Sequence, residues 1–233
     1  MNPHDDRARP DPADARRDAA LDRILRFGMT TVWDTHAHVC PEITEGGTRK
    51  WFERLAAARW LNAFPLVERE NYYVAGPGAV RARGLHPRKA EAFGPLAKVT
   101  AYGTLLFCGR HAVQKLTARE FRTQFPELCR EHTSEAHYYV ERTPPHRLGL
   151  LLIDHGADAR RLPAKVLKVI RTRDEVPAFQ DLLSDDQFVV TIACPSPGRA
   201  KQLRRAFRRK PCETAEVIIE TLPELLPLLV LEG

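Results

Sequence analysis

Cysteine is sparse and unpatterned in this chain. Its five cysteines (Cys40, Cys108, Cys129, Cys194, Cys212) are odd in number, widely scattered, and form no CxxC pair. That argues against a disulfide framework or a zinc knuckle and suits reduced thiols. Long apolar runs are also missing. None approaches the roughly 20 residues of a membrane span, and the start of the chain has no apolar leader stretch. A soluble cytoplasmic protein with no membrane partner is therefore expected. Acidic residues are in deficit, with 30 Asp and Glu against 36 Lys and Arg, a net charge of +6 and a pI near 9.2. An anionic partner is favoured, nucleic acid first. With 43% hydrophobic residues the 233-residue chain can bury real cores, enough for one large or two small domains.

Met1 to Ala13 offers almost nothing to bury and reads as a disordered tail. The next segment, 14–78, reads as a winged helix-turn-helix. A helix over Asp14–Phe27, with the stripe Ala19, Leu21, Ile24, Leu25 and Phe27, stops at Gly28. A short helix (Trp33–Cys40) and a long one (Thr48–Trp60) follow. Two extended runs, Leu61–Val67 and Tyr72–Val74, are joined by Glu68-Arg69-Glu70-Asn71. Helices and hairpin in this order offer one helix to the DNA major groove. After Gly76-Pro77-Gly78, the basic stretch 79–95 reads as a connector.

The rest, 96–233, reads as a mixed-sheet α/β domain. The expected elements are a strand over Lys98–Cys108 and a helix over Thr117–Cys129 that opens with a Thr117/Glu120 capping box. Next come strands His137–Glu141 and Leu148–Asp154, antiparallel because only a short turn joins them. A helix (Ala159–Arg171), a helical turn (Ala178–Leu183), a strand (Gln187–Ala193), a helix (Gly198–Arg209) and a strand (Ala215–Glu220) complete it. The Leu-rich tail (Leu222, Leu225, Leu226, Leu228, Leu229, Leu231) either packs on this domain or docks a protein partner. No internal repeat is visible.

Two basic surfaces stand out. The long helix directs Trp51, Phe52, Leu55 and Ala58 to a core and leaves Thr48, Arg49, Lys50, Glu53 and Arg54 outward, facing bases or phosphates. Its Gly46-Gly47 turn permits close backbone approach, and Arg69 at the wing tip reaches a neighbouring phosphate. The bland alternative is a solvated face on a domain used for protein contacts, since fold does not prove function. The segment GRAKQLRRAFRRK (Gly198–Lys210) carries Arg199, Lys201, Arg204, Arg205, Arg208, Arg209 and Lys210 around a buried stripe of Leu203, Ala206 and Phe207. A face of one sign repels itself unless an anion neutralises it.

Two catalytic readings compete. His36 and His38 form an HxH pair like the metal site that opens amidohydrolase and TatD-type DNase barrels. On a strand the two would share a face and a metal. Trp33, Ala37 and Cys40 instead fall at helical spacing, and the tight antiparallel pairs contradict a barrel of parallel strands. Asp154, ending an apolar strand before Lys165 and Lys168, resembles PD-(D/E)xK nucleases, where clustered carboxylates hold a divalent metal. Leu152 occupies the position of the second acid on the same face, which leaves Glu141 on the neighbouring strand as its substitute.

The chain resembles the replication-relaxation family of plasmid and mobile-element proteins. Three stretches carry the resemblance: Arg49–Leu66 with Asn71–Val80, Lys115–Pro126, and Arg147–Gly156 with Leu162–Ile170. It implies a winged helix followed by a degenerate nuclease-like domain. With Leu152 in place of a Glu, this copy is expected not to cut DNA. The expectation is a non-catalytic, cofactor-free, homodimeric DNA-binding protein acting in replication, transfer or transcription control. It would contact duplex DNA through Thr48, Arg49, Lys50, Arg54, Arg69, Arg204, Arg205 and Arg208. The alternatives are a nuclease using Asp154, Glu141 and Lys165, a hydrolase using His36 and His38, and a protein-interaction module.

Overall fold

The computed structural model describes residues 11–111, 113–129, 137–173, 175–212 and 214–230. The protein is mixed α/β, and the chain divides into two units, Met1–Ala92 and Phe93–Gly233. No helix among the described residues is long and apolar enough to cross a membrane.

Side-chain caps set the corners of the first unit. Asp11 caps α1 (Pro12–Phe27) and Gly28, at φ 88°, ends it. Thr31 caps α2 (Val32–His38), and Thr44 caps α3 (Glu45–Ala57) by accepting from Gly47 N. Strands β1 (Leu61–Val67) and β2 (Glu70–Ala75) form an antiparallel hairpin in which Leu61 faces Ala75 and Phe64 faces Tyr72. The helices bury Leu21, Ile24, Trp51 and Phe52 against Tyr73 of β2, with the Phe52 and Tyr73 rings edge to face at 4.6 Å. A fully buried carboxylate ties these parts together. Asp34 accepts from Arg23 Nε and Nη2, both at 2.5 Å, and from Thr30 Oγ1 at 2.8 Å. Thr30 in turn exchanges backbone hydrogen bonds with Tyr73, so the turn before α2 is stitched to the hairpin.

Several boundaries differ from expectation. Of the expected tail, residues 1–10 lie outside the described residues, and residues 11–13 begin α1. Helix α3 starts three residues before Thr48, because Thr44 and not the Gly46-Gly47 pair provides the cap. Gly46 and Gly47 are thus in its first turn. Thr48 then falls on the buried side, where its hydroxyl donates to Thr44 O at 3.2 Å, while Ala58 is exposed. The stretch 79–95 is no separate connector. Helix α4 (Pro77–Ala82) buries Ala79, and Asn62 Nδ2 donates to Ala90 O at 2.8 Å. A side chain at Gly76 would place its Cβ 2.5 Å from Arg59 O, so the hairpin's exit requires glycine.

The second unit opens with α5 (Pro95–Arg110), where a strand was expected over Lys98–Cys108. Val99, Tyr102, Leu105, Leu106 and Phe107 are all buried, so no polar face marks the helical period. Gly94 followed by Pro95 is the start signal of the helix. Strand β3 (Val113–Lys115) was not anticipated. Helix α6 (Ala118–Gln124) has the Thr117/Glu120 capping box in full. After β4 (Tyr138–Glu141) and β5 (Leu148–Ile153) come α7 (Leu162–Arg171), α8 (Pro177–Ser184), β6 (Phe188–Cys194), α9 (Pro197–Arg209), β7 (Glu216–Thr221) and α10 (Leu226–Val230).

The sheet order is β3-β4-β5-β6-β7, antiparallel through β5 and parallel from β5 to β7. Val166, Ile170, Leu203 and Phe207 of α7 and α9 cover one face, over Leu150, Val190 and Ile192. Helix α5 packs on the other face of β5, where Gly103 faces Ile153 and the Phe107 ring meets Tyr139. Covered on both sides, β6 is buried at every residue, which is why FVVTIAC shows no alternation. Leu222, Leu225 and Leu228 of the tail are buried in this unit, leaving Leu226 and Val230 exposed, while Leu231 lies outside the described residues.

The Tyr139 ring lies on its cross-strand partner Gly149 and bonds Thr191 Oγ1 at 2.8 Å. An added Cβ at Gly149 would sit 2.0 Å from the ring. Gly149→Ala is therefore expected to destabilise this unit by roughly 1–3 kcal/mol through overpacking. Urea unfolding followed by far-UV circular dichroism checks this, and an unchanged midpoint would contradict the packing.

Candidate nucleic-acid interface

Helix α3 carries two exposed rows along its solvent side. At four-residue spacing, Glu45, Arg49 and Glu53 form one row, and Lys50 and Arg54 form the next. Arg49 pairs with Glu45 at 3.2 Å, so part of its charge is already answered. Arg69 is exposed at the hairpin tip between the exposed Glu68 and Glu70. The structure thus leaves Arg49, Lys50, Arg54 and Arg69 accessible, with carboxylates interspersed among them. Thr48 does not belong to this surface: it is fully buried on the opposite side of α3.

Helix α9 is different. Ser196 caps it by accepting from Arg199 N, and Ala200, Leu203, Ala206 and Phe207 hold it to the sheet. The remaining arc carries Lys201, Arg204, Arg205, Arg208 and Arg209, all exposed, with no carboxylate among them. Among the described residues none of these five forms an ion pair, and Arg204 donates only to a backbone carbonyl, Ile219 O, at 3.1 Å. Beside this arc lies a groove of about 550 Å³. One wall is Gly156 to Arg160, and the other is Gln202, Arg205, Arg209 and Lys210. Asp158 is its sole acidic lining residue, and Arg160 faces the α9 cations from across the groove.

What holds the two walls together is a buried ion pair. Asp154, 5% exposed at the end of β5, accepts from Arg199 Nε at 2.7 Å and Nη2 at 2.8 Å. Arg199 also donates to Ala157 O, which fixes the loop after β5 against the first turn of α9. The hydrogen bond to Asp154 raises the Arg199 pKa, so the guanidinium is a permanent charge. Its arginine is thus spent on structure, while the rest of α9's charge is left for solvent or a ligand.

The catalytic readings do not assemble. Glu141 N donates to Arg147 O, which places Glu141 beside the start of β5, whereas Asp154 follows its end. At roughly 3.3 Å per residue the two are about 20 Å apart. Each is already neutralised, Asp154 by Arg199 and Glu141 by Arg147 at 2.9 and 3.0 Å. Lys165 is exposed on α7 and lines a cavity with His155, the residue after Asp154. His36 and His38 lie on α2, where a two-residue step turns side chains about 200° apart. His38 Nε2 is 3.9 Å from Asp34 Oδ1, and His36 Nδ1 is buried without a hydrogen bond. Among the described residues no group of three His, Cys, Asp or Glu is placed to hold a metal ion.

Comparisons of the chain with family models, with curated proteins and with solved structures found no match.

Of the groove residues, sequence reasoning omitted Arg160 and Gln202. The Arg160-Arg161 pair is visible as a basic dipeptide, but its position opposite α9 is set by the fold. Removing one partner of the buried ion pair should show how much the groove depends on it. Arg199→Met leaves Asp154 uncompensated and is expected to cost about 3–5 kcal/mol, with the Asp154→Leu, Arg199→Met double variant recovering part of the loss. Chemical denaturation of the four proteins checks the cycle, and additive losses would contradict the coupling.

Proposed function

We propose that this is a DNA-binding protein whose principal phosphate-contacting surface is the exposed face of α9 and the groove beside it. The observation that carries the reading is five neighbouring cations on one helix without a carboxylate partner. Such a face is self-repelling and is relieved by a polyanion. A protein surface with alternating charge could relieve it only in part.

The first unit supports the same reading as a winged helix. Three helices and a hairpin, with the turn before α2 bridged to the hairpin, leave the outer rows of α3 accessible, and Lys50 and Arg54 would face the duplex. The interspersed Glu45, Glu53, Glu68 and Glu70 make this surface weaker electrostatically than α9, suited to orientation more than to bulk affinity. Pairing of two chains on repeated half-sites, and a role in the replication or transfer of a mobile element, belong to the same proposal. The second rests on the motif likeness to the replication-relaxation family.

Fluorescence anisotropy of the full chain with a labelled duplex tests it. Affinity should fall steeply between 50 and 300 mM salt (about these limits) because counterions are released. The exposed variant Arg205→Gln, Arg208→Gln, Arg209→Gln should weaken binding at least tenfold. It should also flatten the salt slope by about 3, roughly one for each lost phosphate contact. No binding at low salt, or a variant that binds as well as the parent, would overturn the proposal.

A further inference from the structure

The second unit holds another cationic site, on the far side of the loop that follows β5. His155 lines it, while Gly156 onward lines the α9 groove. It is a cavity of about 400 Å³ where β5 outruns β4. Leu151 N donates to His137 O, and beyond that point Leu152 and Ile153 pair only with β6 among the described residues. Tyr138, Leu150, Leu152 and Val169 supply an apolar wall. His137, His155, Lys165, Lys168 and Arg173 supply the polar one, and no carboxylate among the described residues lines the space.

Arg173 makes the arrangement unusual. It is 2% exposed, yet among the described residues its guanidinium reaches only the carbonyls of Leu128 at 3.3 Å and Val169 at 3.4 Å and lies 5.5 Å over the Tyr138 ring. No carboxylate among the described residues pairs with it. A charge this deeply buried is costly without a counter-charge, and the cavity beside it is where one would enter. His155 is held in place by Thr100 Oγ1, 2.8 Å from its Nε2. Burial, reinforced by Lys165, lowers its pKa. His137 is lowered in the same way, by burial and then by Lys115, Lys165 and His155. In both, burial is the larger cause and the neighbouring lysines add to it, while Asp154 opposes the shift at His155.

We propose that this cavity binds a small organic phosphomonoester, its phosphate held by Lys165, Lys168 and Arg173 and its apolar body against Tyr138, Leu150 and Leu152. Five cationic or imidazole donors exceed what a single carboxylate would satisfy and suit a phosphate dianion. The volume falls within the roughly 300–1,000 Å³ of small-molecule pockets. The inference is independent of the DNA reading, because the two sites are lined by different residues.

Calorimetric titration of the full chain with AMP, UMP and phenyl phosphate tests it, with adenosine and benzoate as the arms lacking the phosphate. At least one phosphomonoester should bind saturably at one per chain, and adenosine and benzoate at least tenfold more weakly. Lys165→Met, Lys168→Met alters two exposed side chains and should weaken the phosphomonoester at least tenfold while leaving duplex affinity within twofold. The α9 triple variant should leave phosphomonoester binding unchanged. No saturable binding by any of the three, equal binding of adenosine, or a loss produced by the α9 variant in place of the α7 variant would overturn the proposal.

Discussion

The contact between Asp154 and Arg199 organises the second unit. Its carboxylate ends β5, its guanidinium starts α9, and the two meet in a nearly dry position by paired hydrogen bonds at 2.7 and 2.8 Å. Such a pair contributes less to net stability than its geometry suggests, because desolvation offsets attraction, but either partner alone is strongly unfavourable. It therefore acts as a constraint on arrangement. The loop from Asp154 to Arg160 must lie against the first turn of α9, and that places Arg160 opposite Arg205 and Arg209. The same contact engages the carboxylate that the nuclease reading assigned to a metal, and it shapes the basic groove.

Charge is distributed differently in the two units. On α3 and the hairpin tip every cation has an acidic neighbour, one of them a formed ion pair, and the resulting field is mixed and short in range. On α9 five cations share one arc with no acid, and the groove adds Arg160 and Lys210. Fields of one sign over such an area attract polyanions and respond strongly to salt, whereas mixed surfaces respond weakly. The formal excess of +6 would not by itself separate these cases. Its placement does. The buried Asp34, paired with Arg23 and Thr30, has the opposite role: it consumes charge internally to fix the position of α2 beneath the hairpin.

Local signals in the sequence translated well where one interaction decides the outcome. The Thr117/Glu120 box opens α6, the short turn before Leu148 makes β4 and β5 antiparallel, and Leu203, Ala206 and Phe207 anchor α9. Legibility failed where two local signals competed or where burial erased the pattern. Thr44 caps α3 ahead of two glycines that read as a turn, so the expected helix began at Thr48 and placed it outward, whereas it lies on the buried side of α3. Helix α5 is buried around most of its circumference, so its composition resembles a strand. Contacts between residues distant in sequence were not legible at all. Asp154 and Arg199 are 45 positions apart, and neither the arginine's commitment to structure nor the cavity beside Arg173 has a local signature.

Contact of α9 with the phosphate backbone is the core of the proposed function. Lysine acetylation footprinting of the full chain, with and without duplex DNA, tests it most directly, because Lys201 and Lys210 report on α9 while Lys98 and Lys165 lie elsewhere in the same unit. DNA should protect Lys201 and Lys210 from acetylation at low salt, protection should disappear as salt rises, and Lys165 should stay reactive. Equal reactivity of Lys201 and Lys210 with and without bound DNA would contradict it.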